Sequence, residues 1–118
     1  MNDKFWTYLQ ELVDTSHIVI DRAKGSVHPR MGGGAYPVDY GHLQDTISTD
    51  MSEVDVWVGT QNDKRVVGVQ CSVDLFKRDA ELKIFVGCTD DEIKSIDEFS
   101  NNDSMQVISI KSIFSEDG

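Results

Sequence analysis

Between Tyr36 and Lys83 the chain spaces out the residue types that handle metal ions and phosphate. Asp55 lies in the run Val54-Asp55-Val56-Trp57-Val58. In an extended strand successive side chains point to opposite faces, so the valines share one face and Asp55 and Trp57 the other. A carboxylate in so apolar a run costs free energy unless it is ion-paired or bound to a metal. Asp50 precedes a turn just ahead of that strand, and Asp74 and Glu81 flank the turn of the next hairpin. Glu81 and Lys83 are two apart on a strand and share a face. Oxygens from Asp50, Asp55, Asp74 and Glu81, brought together with Lys83, Tyr36 and Tyr40, suit a hard divalent cation and a phosphate. Taken singly, Asp50, Asp74 and Asp79 are ordinary turn residues. Asp55 is the one that turn chemistry does not explain.

The elements that must position these groups are legible from periodicity. Residues 3–14 have the spacing of a helix capped by Asp3, with Phe5, Trp6, Leu9, Leu12 and Val13 on one face. Strands are expected over 17–20, 54–59, 66–73, 80–88 and 105–114. Gly68, inside the third of these, marks a bulge or a close backbone approach. Thr89 and Glu92 form a capping box that opens a second helix near residues 89–99, stopped by Asn101-Asn102. Gly32-Gly33-Gly34 lacks the surroundings of a phosphate-cradling motif and is expected to be a flexible loop. Short strands, tight turns and two helices predict a mostly β, α+β domain built as a small barrel and spanning residues 1–118.

Composition narrows the functions. The 118 residues carry 11 basic against 21 acidic side chains, a net charge of −10. A nucleic-acid binder needs a basic face, so nucleic acid is not an expected partner. No apolar run approaches the roughly 20 residues of a membrane span, and no membrane association is expected. The N-terminal residues lack the basic start and apolar stretch of a secretory signal, which predicts a cytoplasmic protein. Cys71 and Cys88 have no CxxC partner and no zinc-ligand spacing to His17, His28 or His42, so reduced, buried thiols are expected.

The stretch YPVDYGHLQDTISTDMSEVDVWVG resembles the core signature of the soluble family I inorganic pyrophosphatases, YPxNYG followed by an acidic DGDPxDV segment. Tyr36, Pro37, Tyr40 and Gly41 match the first motif, and Asp50 follows Tyr40 at the family's ten-residue spacing. Asp55 falls on the third aspartate of the second motif. Lys24-Gly25-Ser26 is similar to an earlier turn, with Asp21 where a glutamate is usual. Glu81 and Lys83 resemble the family's Asp-x-Lys. The resemblance covers roughly residues 18–88 and identifies the chain as a shortened, divergent relative. It implies an OB-like five-stranded barrel, closed or partly open, with side helices. It also implies Mg²⁺, with Mn²⁺ as the alternative, and a small phosphate-containing ligand such as pyrophosphate. By resemblance Asp50, Asp55, Asp74 and Glu81 hold metal, and Lys83, Tyr36, Arg30 and Lys24 contact phosphate. Asp50, Asp55, Lys83 and Tyr40 form the catalytic set.

Three departures qualify the activity that the resemblance implies. Ser52 replaces the middle aspartate, to which the proton-accepting role is often assigned, and a neutral hydroxyl cannot take that role at neutral pH. The two strands before YPxxYG are missing with their phosphate-binding arginine, which leaves Arg30 as the stand-in. The family's C-terminal Tyr-Lys pair has no match. The expected function is thus slow Mg²⁺-dependent hydrolysis of pyrophosphate or another small phosphoanhydride. The alternative is an inactive module that binds a metal-phosphate ligand or a protein partner. A homo-oligomer is a further expectation.

Overall fold

A computed structural model describes residues 3–30 and 32–114. Helix α1 (Asp3–Asp14) is followed by strands β1 (Ile18–Arg22), β2 (Val27–His28), β3 (Gly32–Ala35), β4 (Asp39–Leu43), β5 (Val54–Val58), β6 (Val66–Asp74) and β7 (Asp79–Val86). Helix α2 (Asp90–Ser100) and strand β8 (Met105–Lys111) complete the chain. Six strands form one mixed sheet in the order β1-β4-β5-β7-β6-β8, and β2 pairs with β3 in a separate ribbon. All neighbours in the sheet are antiparallel except β5 and β7, which run parallel. Among the described residues the edge strands β1 and β8 pair only with β4 and β6 respectively.

The mostly β architecture with two flanking helices is the expected one. Two features go beyond the periodicity. Strand β4 adds a sixth strand where Tyr40-Gly41-His42 shows no apolar alternation. It needs Gly41, because a Cβ there would lie 1.9 Å from the Val19 carbonyl oxygen on β1. The triple glycine is not a free loop but strand β3, paired with β2 and using left-handed φ of 62°, 88° and 92° that only glycine adopts readily. The last strand ends at Lys111, three residues before the sequence pattern does.

Helices cover the two faces of the sheet. On one, Val54, Val56 and Val58 join Leu43, Val66, Val69, Ile84 and Val86 beneath Trp6 and Val13 of α1. On the other, Trp57, Val67 and Phe85 pack under Ile93 and Ile96 of α2. The parity expected of β5 is therefore the parity observed. Each fully buried Val or Ile of this kind contributes roughly 1.5–3 kcal/mol. A bulge shifts the β6–β7 register between Val66 and Gly68, which turns Val66 and Val69 to one face and Val67 to the other. At Gly68 a Cβ would come within 2.4 Å of the Ile110 carbonyl oxygen. Helix α2 begins with the predicted capping box: Thr89 accepts from the Glu92 N–H, and the Glu92 carboxylate accepts from the Thr89 N–H.

Candidate functional site

The face of the sheet that carries Trp57 also carries the chemistry. Asp55 on β5 and Glu81 and Lys83 on β7 point to it, and Tyr40 reaches it from β4. The Tyr40 hydroxyl donates to Asp55 Oδ2 at 2.8 Å. Lys83 Nζ donates to Glu81 Oε2 at 2.8 Å and lies 3.5 Å from the same Asp55 oxygen. It also sits 5.5 Å from the centre of the Tyr40 ring. One ammonium thus spans two carboxylates from two parallel strands, a pairing that needs the β5–β7 contact and could not be read from spacing.

Electrostatics fix the protonation states. Burial raises the Tyr40 phenol far above its ordinary range, and the Asp55 carboxylate adds to this against the opposing pull of Lys83. Burial works to lower Lys83, but the hydrogen bond and charge of the Glu81 carboxylate oppose it and keep the ammonium protonated. Tyr40 is therefore a neutral donor and Lys83 a fixed cation at any physiological pH.

Two clefts open on this arrangement. The smaller, about 140 Å³, is walled by Asp50, Glu53, Asp55, Asp79 and Glu81 with Ser48 and Thr49. The larger, about 330 Å³, holds Tyr36, Tyr40, Asp74, Glu81 and Lys83. The structure therefore brings Asp50, Asp55 and Glu81 to one cleft and Asp74, Glu81, Lys83, Tyr36 and Tyr40 to the other, with Glu81 common to both. Lys24 and Arg30 line neither. Lys24 is exposed and gives its backbone N–H to the Asp39 carboxylate. Arg30 is exposed in the β2–β3 turn, where its N–H donates to His28 Nδ1.

The turn roles of two aspartates are also present. Asp50 accepts from the Ser48 hydroxyl and from the Ser52 N–H at 3.0 Å, and these bonds lower its pKa. Asp74 accepts from the Phe76 and Lys77 N–H groups at 2.9 and 3.1 Å. Each leaves a second carboxylate oxygen for a ligand. Between Asp50 and Ser52, Met51 holds φ at 71°, at the position where the DGDPxDV motif has glycine.

Lining residues that the sequence did not mark as site candidates include Glu53, Lys77, Asp79, Phe99 and Ser100. The parity of Glu53 with Asp55 was available, but its turn was not. His42, on β4, donates from Nδ1 to Asp21 Oδ2 at 2.8 Å, and its Nε2 lies 3.8 Å from Glu53. The hydrogen bond to Asp21 raises its pKa. Phe99, at the end of α2, supplies a ring, while the hydroxyl of Ser100 beside it is spent on the Ile96 carbonyl and the Gln70 amide.

Among the described residues, no three carboxylate, histidine or cysteine side chains group tightly enough to cage a metal by themselves. The donors are all oxygens, the chemistry of a hard cation. Mg²⁺ commonly takes one or two carboxylates and completes its shell with water and substrate phosphates. The smaller cleft fits that mode, with phosphate supplying part of the shell.

No protein-family model and no curated protein matches the sequence. Solved structures do. The inorganic pyrophosphatase of Helicobacter pylori superposes with a TM-score of 0.58 at 17% identity, over 80% of this chain and 81% of that one. An inorganic phosphatase from Anaplasma phagocytophilum gives 0.55 at 18% identity, over 80% and 81%. An inorganic pyrophosphatase from Coxiella burnetii gives 0.50 at 15%, over 81% and 84%. The sheet, its two helices and this likeness lead to one conclusion: the chain has the fold of the inorganic pyrophosphatases, carried by a far-diverged sequence.

Proposed function

We propose that this protein hydrolyses pyrophosphate or another small phosphoanhydride, slowly and with Mg²⁺ or Mn²⁺. The observation that carries the reading is the convergence of Asp55, Glu81, Lys83 and Tyr40 in one hydrogen-bonded cluster that borders both clefts. Asp50, Asp55 and Glu81 would hold the metal, with Asp74 and Glu81 serving a further ion. The bound metal would offset phosphate charge and acidify a water. Lys83 binds phosphate as a permanent cation. Tyr40 orients Asp55 by its hydrogen bond and stays neutral, and Tyr36 borders the phosphate position.

The rate is low because Ser52 cannot accept a proton and because Lys24 and Arg30 stand outside the clefts. One missing base costs on the order of 10²–10⁴ in rate. The test is phosphate release from pyrophosphate with Mg²⁺, beside Asp55→Asn. Activity that disappears in the variant supports the reading, and no release from pyrophosphate or nucleoside di- and triphosphates ends it.

A second reading has its own observation. Lys83 already spans two of the proposed metal ligands, which suits a module that holds a metal-phosphate ligand without turning it over, or one that docks a protein partner. Calorimetry with Mg²⁺ and a non-hydrolysable pyrophosphate analogue separates the cases: affinity without turnover supports it. No helix among the described residues is long and apolar enough to cross a membrane. A cytoplasmic setting suits Cys71 and Cys88, which are free thiols. The reading includes a homo-oligomer, for which Phe5, Tyr8 and Leu12 leave apolar surface on α1. Sedimentation velocity tests it.

A further inference from the structure

We propose that the larger cleft takes a nucleotide, a nucleoside 5′-diphosphate in complex with Mg²⁺, in preference to bare pyrophosphate. The inference rests on the reading above, in which phosphate sits at Lys83. Pyrophosphate is two charged groups with no apolar surface, and its contacts would end at Lys83 and at the metal that the carboxylates beside it would hold. The cleft continues well beyond them. A series of rings starts at the ammonium: Tyr40 is 5.5 Å from Lys83 Nζ, Tyr36 is 5.9 Å from Tyr40, and Phe99 is 4.9 Å from Tyr36. Trp57 backs all three rings within 6.2 Å.

Tyr36 and Phe99 line the cleft and are only half-buried, so ring surface stays open there, and half-buried Met105 borders them. Apolar, aromatic surface of this kind is what an organic group on the diphosphate would cover. Two features favour a planar heterocycle over an aliphatic chain. Aromatic side chains stack on any nucleobase. Asn102, also on the cleft wall, spends its side-chain oxygen on the N–H groups of Ser104 and Met105. Among the described residues its amide NH₂ has no partner and remains as a donor to a ring nitrogen or carbonyl. The volume of about 330 Å³ falls in the range of small-molecule pockets.

The test is calorimetry with Mg²⁺ and two non-hydrolysable probes, methylene-bridged ADP and methylenediphosphonate. The expected result is about tenfold or tighter binding of the ADP analogue. Phe99→Ala should remove most of that difference and leave methylenediphosphonate unchanged. Saturation-transfer NMR on the unmodified protein should show adenine protons receiving magnetisation, a readout independent of how the variant folds. Binding of methylenediphosphonate with an equal or weaker ADP analogue overturns this proposal while sparing the phosphate site. If neither probe binds, the phosphate site itself is wrong and the proposal falls with it.

Discussion

Lys83 carries more of the site than any other side chain, because its one charge offsets two carboxylates that would otherwise repel. Its side chain is 14% exposed, so solvent does little of that work. Lys83→Met should lower unfolding stability by roughly 1–3 kcal/mol, read by urea denaturation, and abolish phosphate-analogue binding in calorimetry. Gln70 plays a comparable part in the core. It accepts from Trp57 Nε1 and donates to Asp97 and Ser100. Gln70→Met would leave the buried indole N–H unpaired and should cost about 1–3 kcal/mol, detectable by the same denaturation. His42 gives a pH signature. Asp21 raises its pKa in the folded state, so the pair's stabilisation is complete below the ordinary histidine value and is lost as pH rises through the raised one. Asp21 is 44% exposed, which limits the effect. Stability should fall by less than about 1 kcal/mol between about pH 6 and pH 8, and Asp21→Asn should flatten that dependence. Of these residues, spacing singled out only Lys83. Gln70 and His42 carry no local pattern, since their partners come from α2 and β1.

At the scale of elements, the turn before β5 holds a strained residue that can be relieved. Met51 is 82% exposed and has left-handed φ, so its side chain contributes strain and no packing. Met51→Gly should stabilise the protein by roughly 0.5–1 kcal/mol, seen as a higher thermal midpoint, since the Cβ penalty exceeds the added chain entropy. The opposite holds at β4. Gly41→Ala should cost about 3 kcal/mol or prevent folding, because a Cβ would drive β1 away from its partner strand; circular dichroism and solubility report it. The capping box of α2 was complete in the sequence because it is local, four residues with their own hydrogen bonds. Strand β4 was not, because what makes it a strand is its pairing with β1 and β5 on either side.

The whole molecule is a sheet with a helix on each face and a net charge of −10. The smaller cleft concentrates that charge, since five of its wall residues are carboxylates. A dianionic phosphate meets repulsion there unless a cation accompanies it, which makes any phosphate binding at this end metal-dependent. The sequence by itself determined the alternation that gives β5 and β7 their two faces, both helices, and the shared face of Glu81 and Lys83. These are properties of neighbours one to four residues apart, fixed by the geometry of strand and helix. Tertiary structure alone decided that β5 and β7 lie side by side, that Lys83 falls between Asp55 and Glu81, and that Lys24 and Arg30 stand away from the site. It also placed Phe99, Ser100 and Asn102 from the far end of α2 beside Tyr36. Those distances depend on the order of strands in the sheet and on which helix covers which face, and burial of the whole core selects that order rather than any local run of residues.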